Sequence, residues 1–527
     1  MQNFKIYIYF IILLCVFTIG ACSDESSGDF VAGQEGNINV NFQLQLNGFS
    51  GGGSLRATGF LPGDNPAGEN KIGRLTIFVI DLDENDELNW DKIKSTTIAN
   101  PTMNTNTEVS VEMLVKTNVG KKQVYIGINM SNSQISSFCL NKGTYTSSKY
   151  SYDDVIHEFV DLSGMGIVMF GQAITTGGTP SAIINIQQSE DIPATVELSR
   201  VVSKVALTYT PVTPGSKNAT LISGIGGFID ADSVYFMLNS TNKTIDFIPK
   251  LDPQYKMSDY IEYDPNKGYS TSYYYKKNPL TNFMLYSPLG AVPGSSSEVE
   301  HGTAVIKLPN NIGAGDDNPY HRGLQEYDPN MPPFKHYTSS LYCLENMIGS
   351  TGFTCPADTL EQVRQGINTF VIVTAKYVPN LIYHSYDGVN VTQVAVASHS
   401  DLLAITNNDD DNGAYTFYAV LKVEANPPLP AEYDYYTYNA KELLVGQGSP
   451  LDFITYKKGY GYYSTFVTQR NAPTVDDNYS LVRNHYYILN VQEFTPPGAV
   501  YPQQKYMMVN SQVTEWEIKK VITVPLD

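Results

Sequence analysis

The sequence predicts an all-β protein, built of β-sandwich domains with few short helices. Tyrosine is abundant, at 38 of 527 residues, and with Val, Ile and Thr it favours pleated, half-buried surfaces. Runs of period two recur along the chain, bounded by Gly, Pro, Asn or Asp, which is how strands and turns alternate. Helical spacing is scarce, with residues 153–159 and 359–366 the best short candidates. A strand-rich chain with sequential turns points to sandwiches.

The N-terminus carries one basic residue, Lys5, and then an apolar run from Ile6 to Ile19. As a helix this run would span about 21 Å at ~1.5 Å per residue, short of the ~30 Å hydrocarbon core of a bilayer. Residues 1–21 therefore read as a signal peptide. The run ends in Ile19-Gly20-Ala21-Cys22, which resembles the lipobox of bacterial lipoproteins. Cys22 would become the acylated first residue, carrying palmitate-like chains; an ordinary secretory signal with an incidental cysteine is the alternative. Several acyl chains, at ~0.8 kcal/mol per buried CH₂, hold a protein on a membrane without a spanning helix. The following Ser23-Asp24-Glu25-Ser26-Ser27-Gly28-Asp29 resembles an export tag of surface lipoproteins. The expectation is a surface-exposed outer-membrane lipoprotein precursor. A net charge of −19 argues against nucleic acid as a partner, since phosphates demand a basic footprint.

Residues 38–46 (INVNFQLQL) give the cleanest pattern in the chain. Ile38, Val40, Phe42, Leu44 and Leu46 alternate with Asn and Gln, so one face belongs in a core and the other in water. A Gly/Ser stretch, residues 48–57, follows and carries Arg56-Ala57. Flexible exposed segments are where proteases cut. Arg56-Ala57 is thus a candidate cleavage site, or else part of a plain linker. Residues 22–56 would then be a lipidated propeptide containing a removable strand.

Further strands are expected at residues 75–80 (LTIFVI), 123–129, 196–209, 233–239, 369–377 and 486–491, with an acidic turn at 81–87. The junction between domains is expected near Arg200 to Lys204, giving domains at 57–202 and 203–504. Three cysteines remain after the signal and lipid sites: Cys139, Cys343 and Cys355. An odd number encodes no full disulfide framework; Cys343 and Cys355 could pair, or both could be buried thiols.

The C-terminus supplies a second alternating run, residues 516–526 (WEIKKVITVPL). Trp516, Ile518, Ile522, Val524 and Leu526 share one face, and only Lys520 interrupts them. Residues 505–527 are expected to be a donor-strand tail, unless they pair within their own domain. Five buried apolar side chains at ~1.5–3 kcal/mol each give roughly 7–15 kcal/mol, an upper estimate. That rivals the whole stability of a domain, ~5–15 kcal/mol. A cut after Arg56 would free the first strand and leave an apolar slot with unpaired edges, which the tail of another copy could fill. Such a head-to-tail contact need not close, so it builds a filament.

In their order along the chain these segments resemble the FimA/Mfa-type fimbrillins of type V pili. Arg56-Ala57 after the first strand resembles the family's maturation site, where an arginine-specific protease cuts the lipoprotein precursor. Residues 71–81 (KIGRLTIFVID) are similar to its early strand. Val196-Glu197-Leu198-Ser199-Arg200 with Ser203-Lys204-Val205 resembles its "V-x-L-x-R-x-x-A-K-V" segment, with Ser203 for the usual alanine. Tyr342-Cys343-Leu344-Glu345-Asn346 and residues 370–379 (FVIVTAKYVP) resemble its "Y-x-x-E-N" and following strand. Arg483-Asn484-His485-Tyr486-Tyr487 resembles its late "R-N-H-x-Y" strand. The resemblance implies two transthyretin-like β-sandwich domains and a structural subunit that polymerises by strand exchange, with a mature form in the fimbrium. It also implies accessory pilus subunits as partners and adhesion to a host ligand the sequence does not name. Stalk, tip and anchor subunits all occur in the family; the presence of both Arg56-Ala57 and a strand-like tail favours a stalk.

No catalytic, cofactor or metal site is expected. The seven histidines are scattered without His-x-x-x-His spacing. The loop beginning at Asn408 resembles a calcium loop but has Ala419 where the twelfth-position Glu should stand. The rival reading is a β-sandwich surface lipoprotein that binds glycans on aromatic platforms, for which Tyr269 to Tyr275 and Tyr433 to Tyr438 are candidates.

Overall fold

The computed structural model of the 527-residue chain describes residues 30–31, 38–47, 68–101, 109–149, 152–176, 180–209, 221–223, 226–229, 233–239, 241–242, 244–249, 285–286, 298–301, 304–307, 335–336, 340–346, 368–407, 412–424, 431–467, 481–493, 497–498 and 508–515. Cys22, Arg56, Ala57, Cys355, the tyrosines at 269–275, the helix expected at 359–366 and the donor residues Trp516, Ile518, Ile522, Val524 and Leu526 lie outside these.

Up to Glu197 the main elements are β1 (Ile38–Asn47), β2 (Arg74–Leu82), β3 (Leu88–Ala99), β4 (Val109–Thr117), β5 (Gly120–Ile128), α1 (Asn132–Leu140), α2 (Tyr152–His157), β6 (Met169–Thr175) and β7 (Asp191–Glu197). After it come β8 (Val202–Tyr209), β9 (Tyr235–Asn239), β10 (Ser340–Leu344), β11 (Phe370–Pro379), β12 (Leu381–His384), α3 (His399–Thr406) and β13 (Phe417–Val423). The last are β14 (Glu432–Tyr436), α4 (Tyr438–Gly446), β15 (Tyr460–Phe466), β16 (His485–Glu493) and β17 (Met508–Glu515). The protein is all-β in character, with short helices, as its alternating sequence requires.

The N-terminal strands form one hydrogen-bonded path in the order β3-β2-β5-β6-β7-β1-β4. The path turns at β6, whose Met169 to Gln172 pair with β5 while Ala173 to Thr175 pair with β7. Two layers result, and a core fills the space between them. Leu75, Ile77, Val79, Val124, Ile126 and Ile128 come from one layer; Val40, Phe42, Leu44, Val111, Met113 and Val115 come from the other. The opposite faces of β2 and β5 are buried as well: Phe78, Ile80 and Tyr125 pack with α1 and the C-terminal strands. Residues 75–80 therefore read as an apolar run broken only by Thr76, because both faces of that strand are covered. Helix α1 starts with a capping box, Ser131 and Gln134 each satisfying the other's backbone N–H. It drives Phe138 against Phe78, at 4.3 Å between ring centroids, and against Phe170 at 5.2 Å.

Strand pairing changes partners at Val201. Ser199 and Arg200 pair with Phe170 and Met169, whereas β8 pairs with β10 and, in parallel, with β16. The run 196–209, expected as one strand, is thus split among β7, the Ser199–Arg200 bridge and β8. Buried Leu198 and Val201 occupy the two breaks, so the apolar pattern runs on while the chain switches sheets. The C-terminal sheet has the order β10-β8-β16-β17. Beside it, β11 is paired to both β9 and β15, and β12, β13 and β14 belong to a further five-stranded sheet. One continuous apolar cluster joins α1 and β2 to β8, β11 and β16. The acidic turn after β2 is closed by Asp83, whose carboxylate accepts from Asn85 N and Glu87 N, with Asp86 at φ 61°.

Candidate strand-exchange site

Strand β1 lies between two neighbours. It runs parallel to β7, from Asn41 opposite Asp191 to Asn47 opposite Glu197. On its other side it runs antiparallel to β4, from Ile38 opposite Thr117 to Leu46 opposite Val109. Both registers are unbroken, so its backbone is paired on both sides. Val40 and Phe42 are 0 % exposed, Leu44 1 % and Leu46 3 %, while Ile38 is half-buried at the end of the same core. Asn39 and Gln43 face water. Four fully buried side chains at ~1.5–3 kcal/mol each amount to roughly 6–12 kcal/mol, an upper bound. Taking β1 away would strip this contact from the core and leave facing donors and acceptors on β4 and β7 without partners.

After β1 the next described residues of this half, Gly68 to Arg74, are fastened at the seam between the N- and C-terminal sheets. Glu69, 2 % exposed, accepts from Lys204 Nζ and from Tyr342 Oη, each at 2.8 Å. Asn70 Oδ1 accepts from Arg200 Nη2 at 2.6 Å. Asn129 Oδ1 accepts from Gly73 N at 2.8 Å and Arg74 N at 3.2 Å, and its Nδ2 donates to Lys71 O and Ile167 O. Gly68 takes φ +101°, and a Cβ there would sit 2.1 Å from Leu162 O; only glycine fits. Burial pulls the Arg200 guanidinium down to about 10 against the opposing pull of Glu69 and Tyr342. Burial and the Glu69 charge push the Tyr342 phenol up.

A second buried pair closes the other side of the seam. Arg483 Nε donates to Glu345 Oε2 at 2.7 Å, and its Nη2 pairs with Glu345 Oε1. Its remaining donors reach Phe247 O at 3.1 Å and Asp246 O at 2.6 Å. Asn484, at φ 59°, accepts from Arg200 N at 3.2 Å and donates its own N–H to Val202 O at 2.9 Å. His485 is buried, which lowers its pKa, and its Nδ1 lies 2.8 Å from Arg483 O. The segments quoted for the resemblance, far apart in sequence, therefore converge here: Arg200 and Lys204, Tyr342 and Glu345, Arg483 and Asn484. Sequence reasoning missed Glu69, the acid that Lys204 and Tyr342 share, because no local pattern marks it.

At the C-terminus, β17 pairs antiparallel with β16 from His485 opposite Glu515 to Glu493 opposite Met508, with one bulge. Within the tail span 505–527, residues 508–515 are thus a strand of the chain's own sheet. The alternating residues Trp516, Ile518, Ile522, Val524 and Leu526 follow it.

Cys343 and Cys139 are free and buried. Burial pushes the Cys139 thiol up to about 12 and the Cys343 thiol further, so neither is poised as a nucleophile. Among the described residues, no group of His, Cys, Asp or Glu could hold a metal ion. The tyrosines at 433–438 do not form an open platform. Tyr435 and Tyr436 are 6 % and 8 % exposed, and Tyr436 is stacked on Tyr383 at 4.9 Å and edge-on to Phe453 at 5.4 Å.

Residues 454–524 match the family model of the major fimbrial subunit protein type IV, fimbrillin, C-terminal. This segment spans β15, β16 and β17, and the fimbrillin resemblance read from the sequence is borne out there. No curated protein matches the chain. Among solved structures, one similar chain is a fimbrilin (fimA) from Porphyromonas gingivalis W83, at 12 % identity and TM-score 0.40, covering 93 % of this chain and 100 % of that one. Another, provisionally described as a cell adhesion protein, comes from Parabacteroides distasonis ATCC 8503, at 12 % identity, TM-score 0.41, and 91 % and 100 % coverage. A third is the tip fimbrial protein Mfa3 from Porphyromonas gingivalis, at 12 % identity, TM-score 0.33, and 91 % and 100 % coverage.

Proposed function

We propose that the chain is the precursor of a structural pilus subunit, exported as a surface lipoprotein on Cys22 and matured by an arginine-specific protease between Arg56 and Ala57. Maturation removes β1. The vacated slot between β4 and β7 then takes the C-terminal segment of another copy, and repetition builds a filament that accessory subunits start or end. The match of residues 454–524 to a fimbrillin C-terminal model supports the subunit class. One observation carries the exchange step: the strand upstream of Arg56 is a fully inserted central strand, buried at Val40, Phe42, Leu44 and Leu46 and paired on both edges.

A strand with about 6–12 kcal/mol of burial cannot leave without a replacement of like pattern. Residues 516–526 have that pattern and, at ~3.3 Å per residue, about the same length as β1. The anchored segment at Gly68 to Arg74 lets the chain be cut upstream without loosening the seam. The two domains are taken as 57–202 and 203–504, both transthyretin-like, with the boundary where strand pairing changes at Val201. The buried tyrosines of β14 remove a candidate platform from the glycan-binding alternative. Incubating the purified precursor with an arginine-specific protease tests the proposal. A ladder of multimers on a gel, with filaments by electron microscopy, is expected; a cleaved chain that forms no filament or ladder would overturn it.

A further inference from the structure

We propose that β4 is a self-complementary edge through which two copies of the chain pair laterally, antiparallel about Leu114. Strand β4 ends the N-terminal path: β1 occupies one of its edges, and no described strand pairs with the other. Natural edge strands are guarded by shortness, charged side chains (Lys above all), proline, bulges, inward-pointing charge or a covering helix or loop. Among the described residues β4 carries only the charge guard, as Glu112 and Lys116, and these two charges are of opposite sign. Val109–Thr117 runs for nine residues without proline or glycine, and its register with β1 is unbroken. Val111, Met113 and Val115 are buried in the core, while Glu112, Leu114 and Lys116 point to water. Leu114 is 64 % exposed.

The order of these three side chains selects the partner. In an antiparallel pair centred on Leu114, Glu112 of one copy lies opposite Lys116 of the other, and the reverse pair forms by symmetry. The two Leu114 side chains then meet at the axis, and the core-facing residues continue with Met113 opposite Val115. Directly opposed residues of opposite charge, and opposed apolar residues, are the contacts that stabilise a sheet. A parallel in-register pairing would instead set Glu112 against Glu112. Within one strand Glu112 and Lys116 are ~13 Å apart, four steps of ~3.3 Å, so they cannot satisfy each other. Neither makes an ion pair among the described residues. The contact is two-fold and closes on itself. It uses the edge of β4 that faces away from the slot, so it competes with neither β1 nor a strand replacing it and does not depend on strand exchange.

The test uses the uncleaved full-length chain in detergent, so that β1 stays in place and filament growth does not contribute. A zero-length carboxyl–amine cross-linker is applied to a mixture of isotopically light and heavy chains. A light–heavy link between Glu112 and Lys116 is expected, together with a dimer by sedimentation. Glu112→Lys and Lys116→Glu should each weaken dimerisation roughly tenfold or more, since two attractive pairs become repulsive. The double variant E112K/K116E should restore it. A strictly monomeric wild-type chain, or a dimer indifferent to the single charge reversals, would overturn the proposal. Failure of the protease to produce filaments would leave this dimer untouched, and loss of the dimer would leave filament growth untouched.

Discussion

Replacing Phe42 by alanine probes β1 at its most buried point. The ring is 0 % exposed in the core between the two N-terminal layers. Phe→Ala changes at such sites cost about 3–5 kcal/mol, from lost transfer energy and the cavity left behind. In a domain of this size each kcal/mol shifts the melting midpoint by roughly 2–4 °C, so the uncleaved chain should melt about 6–20 °C lower than wild type. If maturation discards β1, Phe42 is absent from the filament, and filaments of Phe42→Ala should dissociate at the wild-type temperature once formed. Differential scanning calorimetry of the precursor and heat-dissociation of washed filaments, run side by side, read the two states. An equal loss in both would mean that β1 stays in place in the assembled subunit, and the reasoning would fall.

Arg56→Ala should abolish cleavage and filament growth while leaving a folded precursor; normal filaments from it would speak against maturation at this bond. Removing residues 516–527, and sparing β17, should give subunits that are cleaved but do not elongate into filaments. Elongation at the wild-type rate, followed by light scattering, would rule out a donor role for that segment. Glu69→Gln should destabilise the chain by about 3–5 kcal/mol in urea unfolding, because it leaves the buried Lys204 ammonium without its counter-charge. Adding Lys204→Met should recover much of that loss; a neutral Glu69→Gln would show that the seam does not depend on the pair.

The alternation at 38–46 was legible because β1 buries one face and wets the other, the case in which a period of two is written directly into sequence. The run at 75–80 was legible as a strand but not as one shared between two cores; Leu75, Ile77 and Val79 fill one, Phe78 and Ile80 the other. Residues 196–209 read as one strand because apolar patterning marks burial and not sheet membership, so the alternation does not show the switches at Leu198 and Val201, although the junction itself was expected close by, near Arg200 to Lys204. The helix expected at 153–159 forms as α2 over Tyr152–His157. Helices α3 and α4 were not anticipated. They bury only Leu402 and Thr406, and Ala440, too little for an apolar stripe, although Ser398 and Thr437 cap their first turns. Glu69 could not be found from sequence at all, since its partners Lys204 and Tyr342 come from distant strands and only the fold brings three buried polar groups together. The tyrosines of β14 were seen as a possible surface because composition alone does not tell an exposed ring from a packed one.

What occupies the space between β4 and β7 in an assembled filament tests the central claim most directly. Electron cryomicroscopy of filaments grown from cleaved chains reads it from side-chain density. The account predicts a strand there from the C-terminal segment of a neighbouring copy, with its large apolar residues where Val40, Phe42, Leu44 and Leu46 stood. Density for residues 38–47 of the same copy would contradict it.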